Sequence, residues 1–161
     1  MKWYETQIVG VVVGGLITML ANWLLRWNEN RIETKNLKAG VKAEVSVFSK
    51  FIEDGLPKIQ KHKEGFELTG KIPKLKMSGQ FNFSFIDSNM SKIGALDEEL
   101  MKKIIELRGL NEGYTEGARI LFDLIPFYQE KTVGASIITL HLTALENSMK
   151  MMIKLSKEIC T

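Results

Sequence analysis

The sequence predicts a mostly α protein: an N-terminal transmembrane helix able to continue into a long amphipathic helix, then a small cytoplasmic helical bundle with a Lys-rich loop. Three observations carry this. The run Ile8–Leu25 (IVGVVVGGLITMLANWLL) holds no charged residue. Later apolar residues recur three and four apart, as on one face of a helix. Only three prolines occur, Pro57, Pro73 and Pro126, so long helices can run between them. The domain reading is 1–27 as the anchor with a short external tail and 28–161 as the cytoplasmic helical domain, with 55–86 rich in loop.

The apolar run is the first element. At about 1.5 Å per residue its length reaches ~27 Å, close to the ~30 Å hydrocarbon core of a bilayer. A cleaved signal peptide would carry a basic start and a small-residue cleavage site. Here Glu5 offsets Lys2, and the run closes on Asn22-Trp23-Leu24-Leu25-Arg26-Trp27. Rings flank it at both ends, Trp3 and Tyr4 before, Trp23 and Trp27 after, where amphipathic aromatics favour the headgroup region. Arg26, Arg31, Lys35, Lys38 and Lys42 follow the run, so the positive-inside rule places residues from about 26 onward in the cytoplasm. The expected location is a bacterial inner membrane, N-terminus outside. Trp3, Tyr4, Trp23, Arg26, Trp27 and Arg31 are the membrane-interface residues. The single cysteine, Cys160, fits a reducing compartment with no disulfide framework.

One face of that helix carries Gly10, Gly14, Thr18 and Asn22, four residues apart. Gly10–Gly14 is a G-x-x-x-G pair, which lets two membrane helices approach closely, and Asn22 can hydrogen-bond across the pair. Self-association through this face is the expectation. The same residues fit the bland alternative that glycines are frequent in membrane helices.

Residues 28–54 read as a helix whose stripe is Leu37, Val41, Val45, Phe48 and Ile52, closed by Gly55 and Pro57. That stripe serves either a bundle core or a parallel coiled coil continuing the membrane pair. The next stretch reads as a loop, with Lys58, Lys61, Lys63, Lys71, Lys74 and Lys76 set among Gly65, Gly70, Pro73 and Gly79. These lysines are solvated or touch anionic lipid or a partner. Phe81-Asn82-Phe83-Ser84-Phe85 alternates like a short strand, or like an extended segment laying rings onto the bundle. Asp87, Asn89 and Gly94 suit a tight structural turn, with Ile93 and Leu96 as plugs. Asp97 opens a long helix, with Glu98 and Glu99 in its first turn. Gly109, Gly113 and Gly117 mark close helix contact or a break, and Pro126 a kink. The last helix covers about 132–159, with Met149, Met151 and Met152 as adaptable fillers.

Chemistry is sparse. His62 and His141 are the only histidines, and no H-E-x-x-H, C-x-x-C or Walker sequence occurs. No catalytic, cofactor-binding or metal residue is assigned, and no enzyme is expected. A formal net charge of +3 suits work beside anionic lipid better than dedicated nucleic-acid binding.

Phe85-Ile86-Asp87-Ser88-Asn89-Met90-Ser91-Lys92-Ile93-Gly94-Ala95-Leu96, followed by Asp97-Glu98-Glu99-Leu100, resembles a pattern in uncharacterised bacterial and prophage single-pass membrane proteins with a cytoplasmic helical domain. The resemblance implies an anchor, an amphipathic helix and a short turn segment before another helix. It implies no enzymatic activity. With the small size, it suggests a protein that binds or regulates a partner at the inner membrane, in one version for phage superinfection exclusion or immunity. The rival expectation is a structural or pore-forming homo-oligomer assembled through the transmembrane helix.

Overall fold

In the computed structural model the described residues are 3–71 and 81–161, with side chains described from Val13 onward. Among them the chain forms five helices and no strand: α1 (Trp3–Thr69), α2 (Ser84–Ser88), α3 (Met90–Ile93), α4 (Glu98–Gln129) and α5 (Ala135–Cys160). The chain divides into two compact units, 1–39 and 40–161, and α1 contributes to both.

The second unit is built on three long helical segments. From α1, Val41, Val45, Phe48, Ile52, Ile59 and Phe66 are buried, so the stripe expected up to Ile52 runs about four turns further. Lys42 donates to the Cys160 carbonyl (3.1 Å), Glu53 pairs with Lys157 (3.0 Å), and Lys63 pairs with Glu146 (3.2 Å). Numbers rise on α1 as they fall on α5, so the two run antiparallel. Likewise Lys103 lies 3.7 Å from Glu158, and a Cβ on Gly117 would stand 3.4 Å from Leu145, so α4 and α5 are antiparallel. Hence α4 runs parallel to the second-unit part of α1, and Phe66 meets Tyr128 near their ends (ring centroids 5.4 Å). Parallel neighbours cannot be joined by a tight turn, so the chain between α1 and α4 returns to the start of the bundle before α4 begins.

The expected stop at Gly55 and Pro57 is corrected: α1 passes through both. Gly55 is there for proximity, since a Cβ would lie 2.9 Å from the end of Met149. Pro57 removes one backbone donor, a defect worth about 3 kcal/mol in a helix interior. Ile52, Ile59 and Phe66 stay buried across it and hold the helix together. Termination comes at Gly70, whose φ of +61° is the left-handed conformation that closes many helices. The Gly70 N–H donates to the Phe66 carbonyl (2.8 Å).

The return segment lays down phenylalanines, and the strand alternative for Phe81–Phe85 is corrected. Phe81 and Phe83 precede α2 in irregular backbone, and both rings pack on Phe48, at centroid distances of 4.9 and 4.8 Å. Asn111 of α4 donates to the Phe81 carbonyl (3.2 Å). Ile86, Ile93 and Leu96 are buried, as plugs should be. Asp97 caps α4 by accepting from Leu100 N (2.8 Å). Helix α4 continues unbroken through Gly109 and Gly113, with no atom within 4 Å of a Cβ at either, so they mark neither a break nor a contact. It also passes Pro126 and ends at Gln129, and the turn to α5 places Lys131 at φ +62°.

Candidate functional site

The first unit holds the residues expected at a membrane. The described part of the apolar run, Val13–Leu25, is helical and exposed on every side. Val13, Leu16, Ile17, Met19, Leu20, Trp23, Leu24, Leu25 and Trp27 are 48–71% exposed. Successive residues step about 100° around a helix, so all of these but Leu25 fall on one broad side, and Gly14, Gly15, Thr18, Ala21 and Asn22 share the other side with Leu25. Gly14 and Gly15 have nothing within 4 Å of a Cβ position. Thr18 donates its hydroxyl to the Gly14 carbonyl (2.9 Å), which satisfies the one hydroxyl on this stretch within the helix itself. Asn22 is exposed. The Arg31 guanidinium stands 5.8 Å from the Trp27 ring centre, a cation–π distance. Gly10, Trp3 and Tyr4 lie outside the residues with described side chains, as do Ile8–Val12 of the run. Among the described residues no helix is long and apolar enough to cross a membrane.

In the second unit the expected loop lysines divide. Lys58, Lys61 and Lys63 sit on α1, which corrects their assignment to a loop, and Lys71 follows it; Lys74 and Lys76 lie outside the described residues. Lys58, Lys61, His62, Gly65, Thr69 and Lys71 line a concavity of about 530 Å³. Positions 58, 62, 65 and 69 share one side of the helix, which is why these residues converge. Three of the lining residues are lysines and none is acidic, while most of the lining surface is apolar.

Lys63 points elsewhere. Its ammonium, the Gln60 amide and the Lys150 ammonium all donate to the Glu146 carboxylate, at 3.2, 3.2 and 2.6 Å. Glu146 is buried on the inner side of α5, and its carboxyl is held at about 2, first by Lys150, then by Gln60 and Lys63. The sequence reading missed this cluster. Its signal was a lone carboxylate inside the apolar stripe Leu142, Leu145, Met149, with a lysine four residues later. The arrangement is a clasp between α1 and α5.

A second carboxylate was also missed. Glu44 of α1 accepts from the backbone N–H groups of Phe85 (2.8 Å) and Ile86 (2.9 Å) and from the Ser84 hydroxyl (3.3 Å). No side chain local to α2 caps its start, so a residue some forty positions earlier supplies the anion that a helix N-terminus attracts. The expected turn residues act differently from an N-cap. Asn89 lies between α2 and α3 and donates its amide to the Phe85 carbonyl (2.9 Å). Asp87 pairs with Arg108 (3.0 Å), and Gly94 ends α3 with an ordinary right-handed φ of −60°.

Catalytic chemistry finds little support in these positions. His62 and His141 are half-buried on different helices. Burial pushes the Cys160 thiol up, and its Sγ lies 3.6 Å from the Lys42 carbonyl, so it is no activated thiolate. Among the described residues no group of three or more His, Cys, Asp or Glu could hold a metal ion. No protein-family model, curated protein or solved structure matches the chain.

Proposed function

We propose that this chain is a single-pass protein of the bacterial inner membrane, N-terminus outside, whose helical bundle binds or regulates a partner at the cytoplasmic face. The observation that carries the reading is the exposure of the large apolar side chains of Val13–Leu25 on a helical stretch with no charged residue on any side. A surface helix of a water-soluble protein keeps a charged or strongly polar side, whereas the less bulky side of this one holds glycines, Ala21, Thr18 and Asn22 and no charge. Burying a large apolar side chain contributes about 1.5–3 kcal/mol. With eight of them about half exposed, transfer to hydrocarbon is favourable by on the order of 10 kcal/mol. The uncharged run Ile8–Leu25 supplies the length, and the basic residues Arg26, Arg31, Lys35, Lys38 and Lys42 supply the orientation.

The bundle's part is recognition. Among the described residues it offers a concavity bordered by Lys58, Lys61 and Lys71 and no group of side chains that could hold a metal ion. Its resemblance-based use in superinfection exclusion belongs to the same proposal: the anchor would hold the bundle beside an incoming phage's DNA-entry machinery. Two measurements test it. Full-length chain should stay in the membrane pellet after alkaline carbonate extraction, while residues 28–161 alone should not. Recovery of the full chain in the supernatant refutes the anchor. Cells expressing the full chain should resist a panel of phages that plaque on cells expressing 28–161, and equal plaquing throughout refutes the exclusion role.

A further inference from the structure

We propose that α1 pairs with α1 of a second copy of this chain, parallel and in register, along Thr18, Asn22, Leu25, Glu29, Ile32 and Asn36. This rests on the anchor reading, because one orientation in a bilayer is what makes the two helices parallel. The positions alternate four and three residues apart, so they share one face of α1, with Leu25 and Ile32 as its apolar members. It begins one turn after Gly14, whose bare backbone admits a close neighbour. Nothing within the first unit covers the seam: Leu25 is 61% and Ile32 51% exposed, and Thr18, Asn22, Glu29 and Asn36 are all exposed.

A second copy is the occupant that the polar residues select. Asn22 and Asn36 stand two heptads apart at the same seam position. An asparagine amide carries both donor and acceptor, so it pairs with its own counterpart. In a parallel, in-register pair each asparagine meets itself, and both are satisfied together. An antiparallel pair would set each against the alternate layer, and lipid would leave Asn22 unpaired at the end of the apolar run. Such asparagines fix register and two-strandedness at some expense in affinity. Glu29, midway between them, meets its own copy as a like charge. It weakens the pair and therefore reports on it.

The test uses the full-length chain in native membranes with Cys160→Ser and one new cysteine at a time. Oxidation should give disulfide-linked dimer with Leu25→Cys, Ile32→Cys and Asn36→Cys. It should give little with Trp27→Cys and Thr34→Cys, which lie on the opposite side of α1. Adding Glu29→Leu to Ile32→Cys should raise the dimer fraction at subsaturating expression about fivefold, by removing a like-charge layer from the seam. Equal crosslinking on both sides, none on the seam side, or no response to Glu29→Leu overturns the pairing. Carbonate extraction of the same samples reports the anchor separately. A chain released from membranes but crosslinked along the seam refutes the anchor and retains the pair.

Discussion

Gly40→Ala and Gly113→Ala make the same chemical change within long helices, and they should move stability in opposite directions. Each alanine gains about 1 kcal/mol of helix propensity over glycine. At Gly113 nothing lies within 4 Å of the new methyl, so the gain is kept. At Gly40 the new methyl would fall on the end of the Phe85 ring, the nearest atoms being Cζ, Cε1 and Cε2. The ring cannot simply withdraw with its helix, because Glu44 of α1 holds the Phe85 N–H at 2.8 Å and the Ile86 N–H at 2.9 Å. Forcing an extra methyl into a filled contact costs about 1–3 kcal/mol. Set against the propensity gain of about 1 kcal/mol, the net at Gly40 is a loss of up to about 2 kcal/mol. The two variants should therefore differ by about 1–3 kcal/mol, roughly 3–10 °C in melting temperature for a domain of this size. Far-UV circular dichroism melts of full-length protein in a mild detergent measure this. Gly40→Ala combined with Phe85→Leu should recover most of the loss. A Gly40→Ala protein as stabilised as Gly113→Ala would refute the placement of Phe85 against α1.

Two further outcomes follow from the missed carboxylates. Glu44→Gln keeps the shape of the cap on α2 but removes its charge; a loss of about 1–2 kcal/mol is expected, with faster amide exchange at Phe85 and Ile86 than at Leu100, which Asp97 caps. Unchanged exchange at those two amides would refute the remote cap. Glu146 has its folded-state value lowered from 4.5 to about 2, so its contribution is complete above 4.5 and fades as pH falls toward 2. The stability gap between wild type and Glu146→Gln should therefore be of order 1 kcal/mol at neutral pH, after allowance for solvent screening, and shrink steadily between pH 5 and pH 2.5. A gap that is constant across that range would show that the carboxylate's charge does not hold the clasp.

The helical stripes were legible because periodicity depends only on neighbours in the chain. Val41, Val45, Phe48 and Ile52 are buried as their spacing requires, and so are Leu100, Ile104, Leu107, Ile138, Leu142 and Leu145. Asp97 caps α4, as a side chain three residues from its donor can. The reading failed where a local signal was outweighed by distant packing. Gly55 and Pro57 look like a helix stop, yet Met149 needs the glycine's empty space and Ile59 and Phe66 bury the next turns. Asp87 and Asn89 read as residues of a local turn, yet the carboxylate that meets the start of α2 is Glu44, some forty positions away. Of the candidate sites, the apolar run and its flanking rings were legible as composition, and the lysines were legible as a cluster but not as a surface. Lys63 was drawn away to Glu146 while Lys58 and Lys61 stayed exposed.

By itself the sequence determined that the chain is helical, where its apolar stripes lie, and that Ile8–Leu25 is an uncharged run of membrane length. These follow from the residues' own preferences and spacing along the chain. Only the tertiary structure decided that α1 runs on to Thr69, that α4 lies parallel to its second-unit part, and that Glu44 and Glu146 tie the helices together. A carboxylate's partner is set by what folding brings within about 3 Å, and residues tens of positions apart carry no mark in the sequence of that meeting.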